Sequence, residues 1–454
     1  MQQNDAQYQK MIETPIPRLV ISLAVPTMIS MLVSSIYNVA DTYFVSRLGT
    51  SASGAVGIVF SLMAVIQAVG FMVGMGAGSV VSRLLGEQES GQAQKIASCA
   101  LFTSIVLGAA LSVLGLWLLE DLMLWMGATE TILPYAAEYA RYILYVAPVM
   151  TASFVLNNLL RAEGKTKLSM IGITCGSLLN IGLDPLFIFV FGWGIRGAAA
   201  ATAVSQCIGC LLLFVFFLRK KTIIRFSLKN LSWNVSIYKE FLGNGMPSLF
   251  RQGLAGAASV ALNHMAASYG DAAVAAMSIV GKIFMMLFCV LIGLGQGYQP
   301  VAGYNYGAGK YGRVRRAYRF MLHLGNIGMT LLGAGLFFGA GALLRQFVPD
   351  DKEVAAIGTA ALRMQCAAMP FLSLGIACNM TFQAVGKSVK ATLFASCRQG
   401  FFFLPLLFLL PGMFGIVGME AAQPLADVGT FLVCFPAMRK FMRQMEEKGT
   451  KRQT

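Results

Sequence analysis

Apolar runs of roughly 20 residues recur along the whole chain, separated by short polar stretches. Each run is long enough to cross a hydrocarbon core about 30 Å thick at 1.5 Å per helical residue. The pattern predicts spans at about 17–46, 53–82, 95–119, 133–159, 168–191, 195–218, 240–268, 272–303, 318–344, 355–384, 391–410 and 414–438. A barrel would instead need segments of about ten residues alternating apolar and polar. Leu211 to Leu218 is apolar on every face, which a helix in lipid tolerates and a barrel strand does not. The opening segment is polar and mixed in sign, and the apolar run after it continues without a cleavage pattern, so the first helix is expected to be retained.

Composition agrees. The 454 residues are 57% hydrophobic and 12% charged, with a mean hydropathy of +0.68, where a soluble chain carries about 25% charged residues. An all-α polytopic membrane protein follows. Nine cysteines, an odd number scattered through the predicted spans, read as small apolar packing residues and not as a disulfide framework. The net charge of +15 is a topology signal. Lys and Arg gather at both ends of the chain and in alternate loops, for example Arg161, Lys165 and Lys167, or Lys310, Arg313, Arg315 and Arg316. The intervening loops carry Glu120, Asp121, Glu130 and Asp271. By the positive-inside rule both termini are cytoplasmic, which requires an even number of spans and supports twelve. Each basic cluster sits beside a span, so membrane lipid is the expected partner and nucleic acid is not.

Sliding the chain on itself exposes a repeat. At one offset Pro26 falls on Pro247, Gly49 on Gly270, Gly74 on Gly295, Gly76 on Gly297, Gly86 on Gly307 and Gly91 on Gly312, a shift of 221 without a gap. Two six-helix halves are implied. Six is even, so the halves are parallel and related by an axis along the membrane normal, with substrate expected between them. The expected organisation is a cytoplasmic tail over 1–16, a first bundle over 17–218, a cytoplasmic linker over 219–239, a second bundle over 240–438 and a cytoplasmic tail over 439–454.

A charged carboxylate at mid-bilayer costs at least about 2.5–3.5 kcal/mol, so it must be protonated, paired or bound to a cation. Asp41 sits in the first span, with Tyr37 and Asn38 one turn earlier on the same face. Asp184 has Asn180 one turn earlier. Pro185 cannot donate a backbone hydrogen bond and bends the helix there, freeing an acceptor beside the carboxylate. Thr202 lies in a small-residue helix that can approach closely and add a hydroxyl. Such an oxygen set suits Na⁺, and two close carboxylates equally suit a shared proton. The repeat supplies an internal control: position 41 maps to Leu262 and position 184 to Pro405 or Leu406. The acids belong to the first half alone.

Arg251, Lys282, Glu420 and Asp427 are the remaining polar residues of interest in or near second-half spans. The tripeptides at 164–166 and 386–388 imitate the end of a P-loop, yet Leu159 and Thr381 stand where its leading glycine would be. No nucleotide-driven pump and no enzyme is expected, since hydrolase and zinc-protease motifs are absent from the sequence too.

The stretches "VPTMISMLVSSIYNVADTYFVSRLG", "NNLLRAEGKTKLSM", "NIGLDPLFIF", "GIRGAAAAT" and "GQGYQPVAGYNYGAGKYGRVRRA" resemble the multidrug and toxic compound extrusion (MATE) family, DinF-like branch, nearest its MepA-like bacterial transporters. The resemblance runs from about residue 14 to 440. It implies a V-shaped central cleft between two bundles, and export of organic, often cationic and aromatic compounds such as dyes and drugs in exchange for Na⁺ or H⁺. It further implies a multi-pass monomer in the bacterial plasma membrane with no cofactor beyond the coupling ion. Carried across motif by motif, it makes Asp41, Asn180, Asp184 and Thr202 the cation site. Pro26 and Pro185 then bend their helices, and Tyr37, Asn38, Asn157, Arg251, Lys282, Glu420 and Asp427 are candidates for the substrate cleft. A flippase for lipid-linked oligosaccharide or peptidoglycan precursor, of the same superfamily fold, is the alternative.

Overall fold

The computed structural model describes residues 2–349 and 351–451. Helices α1 (Gln2–Glu13), α2 (Ile16–Ser46), α3 (Thr50–Gly86), α4 (Ser90–Trp117), α5 (Leu119–Trp125), α6 (Leu133–Ala162), α7 (Thr166–Pro185) and α8 (Ile195–Leu218) form the first half. The second contains α9 (Val235–Ala267), α10 (Asp271–Gly307), α11 (Tyr311–Phe347), α12 (Lys352–Ala384), α13 (Ser388–Ser396), α14 (Leu404–Phe414) and α15 (Ile416–Lys451). Pro185 ends α7, and the rod continues through a π turn, Leu186–Val190. A second π segment, Cys397–Phe403, joins α13 to α14 just before Pro405. Both widenings lie beside a proline whose missing N–H disturbs the ladder.

Among the described residues, eleven of the long rods are apolar enough to cross a membrane by length and composition. The twelfth, α9, falls short because it carries Lys239, Glu240, Asn244, Arg251, Gln252, Asn263 and His264. Of these, Asn244 is buried, and its carbonyl accepts a bond from the amide of Gln383 on α12 at 2.8 Å. The chain is a multi-pass all-α membrane protein. Two expected tails are helical: α1 occupies the first, and α15 continues to Lys451, with Met438, Phe441 and Met445 buried and Glu446 ion-paired to Arg315.

The halves meet through glycines, and each contact occurs twice with the halves exchanged. Gly76 of α3 lies against Phe241 and Gly245 of α9, while its repeat mate Gly297 of α10 lies against Ala24 of α2, the mate of Gly245. Gly86 abuts the Tyr304 carbonyl, and Gly307 abuts the Arg83 carbonyl; residues 83 and 304 are again 221 apart. Reciprocal contacts of this kind are what a two-fold axis produces. Small residues let the backbones touch without a side chain between them. Further bonds tie the same end: Arg83 to Glu240 at 2.8 Å, Asn305 to the Met11 carbonyl at 3.2 Å, and Arg313 to the Thr14 carbonyl at 2.7 Å. The turn glycines Gly164 and Gly386 adopt φ of 77° and 78°, so the P-loop look-alikes are helix-ending turns in which glycine supplies the left-handed conformation.

Candidate cation-binding site

Asp41 lies on α2 fifteen residues beyond Pro26, about 22 Å along the helix at 1.5 Å per residue. Asp184 is the penultimate residue of α7, the last before the proline that ends it. Helix α7 packs along α2 and α8, which brings Asp41, Asp184 and Thr202 to one place. All are buried, with Asp41 2% and Asp184 0% exposed. The two carboxyls lie close enough to interact directly.

Neighbours dictate the orientation of the Asn180 amide. Its nitrogen donates to Asp184 Oδ2 at 3.0 Å, and its oxygen accepts from the Thr202 hydroxyl and backbone N–H, each at 3.2 Å. Thr202 extends the chain of polar contacts to the Tyr139 hydroxyl at 3.4 Å and to Tyr37. Asp41 Oδ1 and Asp184 Oδ1 are buried, and among the described residues neither has a hydrogen-bond partner. Two orphaned carboxylate oxygens buried in a membrane span call for a cation or a proton, since unpaired buried charge is otherwise costly. The donors are hard oxygens, the set that suits Na⁺ and not a soft transition metal.

The structure brings together Tyr37, Asp41, Asn180, Asp184 and Thr202 from the sequence expectation. It adds Tyr139, which no spacing in the sequence connects to the acids, because α6 reaches the site through packing on α8 and α7. Asn38 is half-buried on the neighbouring stripe of α2. Asn157 lies elsewhere, its amide oxygen accepting from Ser169 between α6 and α7. Lys282 is exposed. Arg251 and Asp427 line a separate second-half cavity with Arg398, and Glu420, two turns before Asp427 on α15, is buried without lining it.

The MatE family model matches the chain twice, over residues 26–186 and 247–409, starting points 221 residues apart like the glycine pairs. This chain belongs to the MatE family. Among similar MatE proteins is the "Multidrug export protein MepA" of Staphylococcus saprophyticus subsp. saprophyticus, 27% identical over 405 residues that cover 89% of each chain. The protein of that name from Staphylococcus haemolyticus is 28% identical over 428 residues, 93% of each chain. A solved structure described as the outward-facing conformation of a multidrug resistance MATE family transporter of the MOP superfamily superposes with a TM-score of 0.91. It is 25% identical, over 96% of this chain and 98% of that one.

Proposed function

We propose that this MatE protein is a secondary active multidrug efflux transporter, exporting organic and often cationic, aromatic compounds in antiport with Na⁺ or H⁺. The observation that carries the reading is the buried Asp41–Asp184 pair, each carboxyl keeping one oxygen without a donor. Such a pair has affinity for one monovalent cation or one shared proton and little tolerance for standing empty. The names of the staphylococcal relatives support export as the task. Closure at the end that carries the basic loops supports an outward-facing state, if those loops face the cytoplasm of a bacterial plasma membrane as the positive-inside rule expects, with both termini on that side.

Coupling runs through α2. Pro26 removes one ladder bond, and hydroxyls on either side compete for the remaining carbonyls: Ser22 donates to Leu19 O at 2.8 Å, Thr27 to Leu23 O at 2.9 Å and Ser30 to Pro26 O at 2.8 Å. Back-bonding of this kind favours helix bending. The same turns lie against Gly293 and Gly297 of α10, so bending α2 shifts a helix of the opposite half. A cation that binds one α2 shape better than the other shifts the equilibrium between them. Ion and drug thereby compete through the conformation of one helix. Ethidium uptake into everted vesicles, where export runs inward, driven separately by Na⁺ and pH gradients, tests the reading. Efflux that ignored both gradients would overturn it.

A further inference from the structure

The second half encloses a cavity for which cation coupling has no use. It opens at a mouth, and Arg251, Phe288, Asn379, Arg398, Gln399 and Asp427 are in its wall. The charges in that wall do not balance. Arg398 Nε pairs with Asp427 Oδ1 at 2.6 Å, and Asp427 also accepts from Gln365 at 2.8 Å and Gln423 at 3.1 Å, so its carboxylate is fully engaged. Arg251 has only neutral partners, Asn379 Oδ1 at 3.2 Å and Met75 Sδ at 3.5 Å. Asp427 is the single acid among the lining residues, against two guanidiniums. Among the described residues, buried Nε of Arg251 and Nη2 of Arg398 have no acceptor.

Guanidinium groups kept in a protein interior with unused donors are costly unless something anionic meets them. Both groups are held in place. Arg398 lies over the rings of Phe288 and Phe284, 4.5 and 5.3 Å from their centres. Asn379 is anchored by donating to the Ala391 carbonyl at 2.9 Å, which turns its oxygen toward Arg251. Planar forks of donors match the two oxygens of a carboxylate. Phe288, Phe371 and Phe394 give the same cavity aromatic walls.

We propose that this cavity binds the carboxylate of an aromatic organic acid, held by Arg251 and Arg398 with its ring against Phe288. The site is separate from the Asp41–Asp184 pair and takes ligands of opposite charge.

The test uses the full chain purified in detergent and two dyes that share one aromatic body: tetramethylrhodamine, with a free carboxylate, and its methyl ester. Fluorescence anisotropy should show the free acid binding roughly tenfold more tightly than the ester, a difference of about 1.4 kcal/mol. Arg251→Gln should erase that preference while leaving the ester's affinity unchanged, and Arg251→Lys should keep part of it. The wild-type ratio decides the matter even if a variant fails to fold. Equal binding of acid and ester, or tighter binding of the ester, would overturn the assignment, as would a loss in Arg251→Gln shared by both dyes. Displacement of the acid dye by phosphatidylglycerol but not phosphatidylcholine would give the site to a lipid headgroup and also overturn it. No gradient is involved, so failure here is distinguishable from failure of the antiport reading.

Discussion

Gly76 of α3 and Gly245 of α9 touch backbone to backbone: a Cβ on Gly76 would stand 2.8 Å from the Gly245 nitrogen and fall on the Phe241 carbonyl. The pair joins the two halves at the end where α1 and the basic loops lie. Its repeat counterpart, Gly297 with Ala24, makes the same junction with the halves exchanged.

Gly245→Val should therefore force the junction apart. A branched side chain there meets the Met72 carbonyl, and overpacking of this kind costs about 1–3 kcal/mol. The expected outcome is a thermal midpoint lowered by several degrees in detergent, together with a marked fall in ethidium efflux. Gly256→Ala on the same helix is the control, because nothing lies within 4 Å of the added Cβ. It should be neutral or stabilising by up to ~1 kcal/mol.

Asp184→Asn and Asp41→Asn should each abolish gradient-driven efflux while leaving a folded, monodisperse protein. The double variant should be no worse than either single one, because the two carboxyls hold one ion or proton as a unit. Dye-uptake assays in everted vesicles on all three variants check this, and additive losses would separate the two acids. Na⁺ should also raise the thermal midpoint of the wild type and not of Asp184→Asn if Na⁺ is the coupling ion, since a ligand of the native state alone stabilises it.

Asp427→Asn should destabilise strongly. It leaves Arg398, whose side chain is 14% exposed, without its counter-charge, and breaking a buried pair from one side costs about 3–5 kcal/mol. Arg398→Gln with Asp427→Asn removes both charges and should recover part of that loss. A double-mutant cycle read by thermal unfolding gives the coupling directly.

Glu163→Ala should loosen the linker between the halves. The Glu163 carboxylate accepts from the backbone N–H groups of Ile223 and Ile224 at 2.9 and 2.8 Å and pairs with Lys165 at 3.0 Å. Two buried donors lose their acceptor, at about 1–3 kcal/mol each. Limited proteolysis within residues 219–234 should speed up before the helices are cleaved.

Much of this architecture was legible in the chain itself. Lipid offers backbone groups no partners, so a run of some 20 apolar residues must be a helix, and the expected spans fall on the observed rods. The repeat was legible for a related reason. Glycines recur where backbones touch, and their register survives when other positions drift, as Gly76 with Gly297 and Gly86 with Gly307 show. Pairing of Asp184 with Asn180 follows from one helical turn, and so was readable too.

What sequence could not reach depends on packing between distant helices. Asp41 and Asp184 stand 143 positions apart (184 − 41), and their meeting rests on α7 lying along α2. Tyr139 joins them because α6 packs on α8, and nothing in its own helix marks it out. Arg251 stood out in the chain only as a polar residue in or near a span, and nothing in the spacing ties it to Arg398. Folding brings the two to one pocket beside a single lining acid. By itself the sequence determined where helices form, how many halves there are and which half holds the acids, because those are matters of local periodicity and composition. Only the tertiary structure decided which buried charges meet a partner and which are left waiting for one, because that depends on how side chains of distant helices meet.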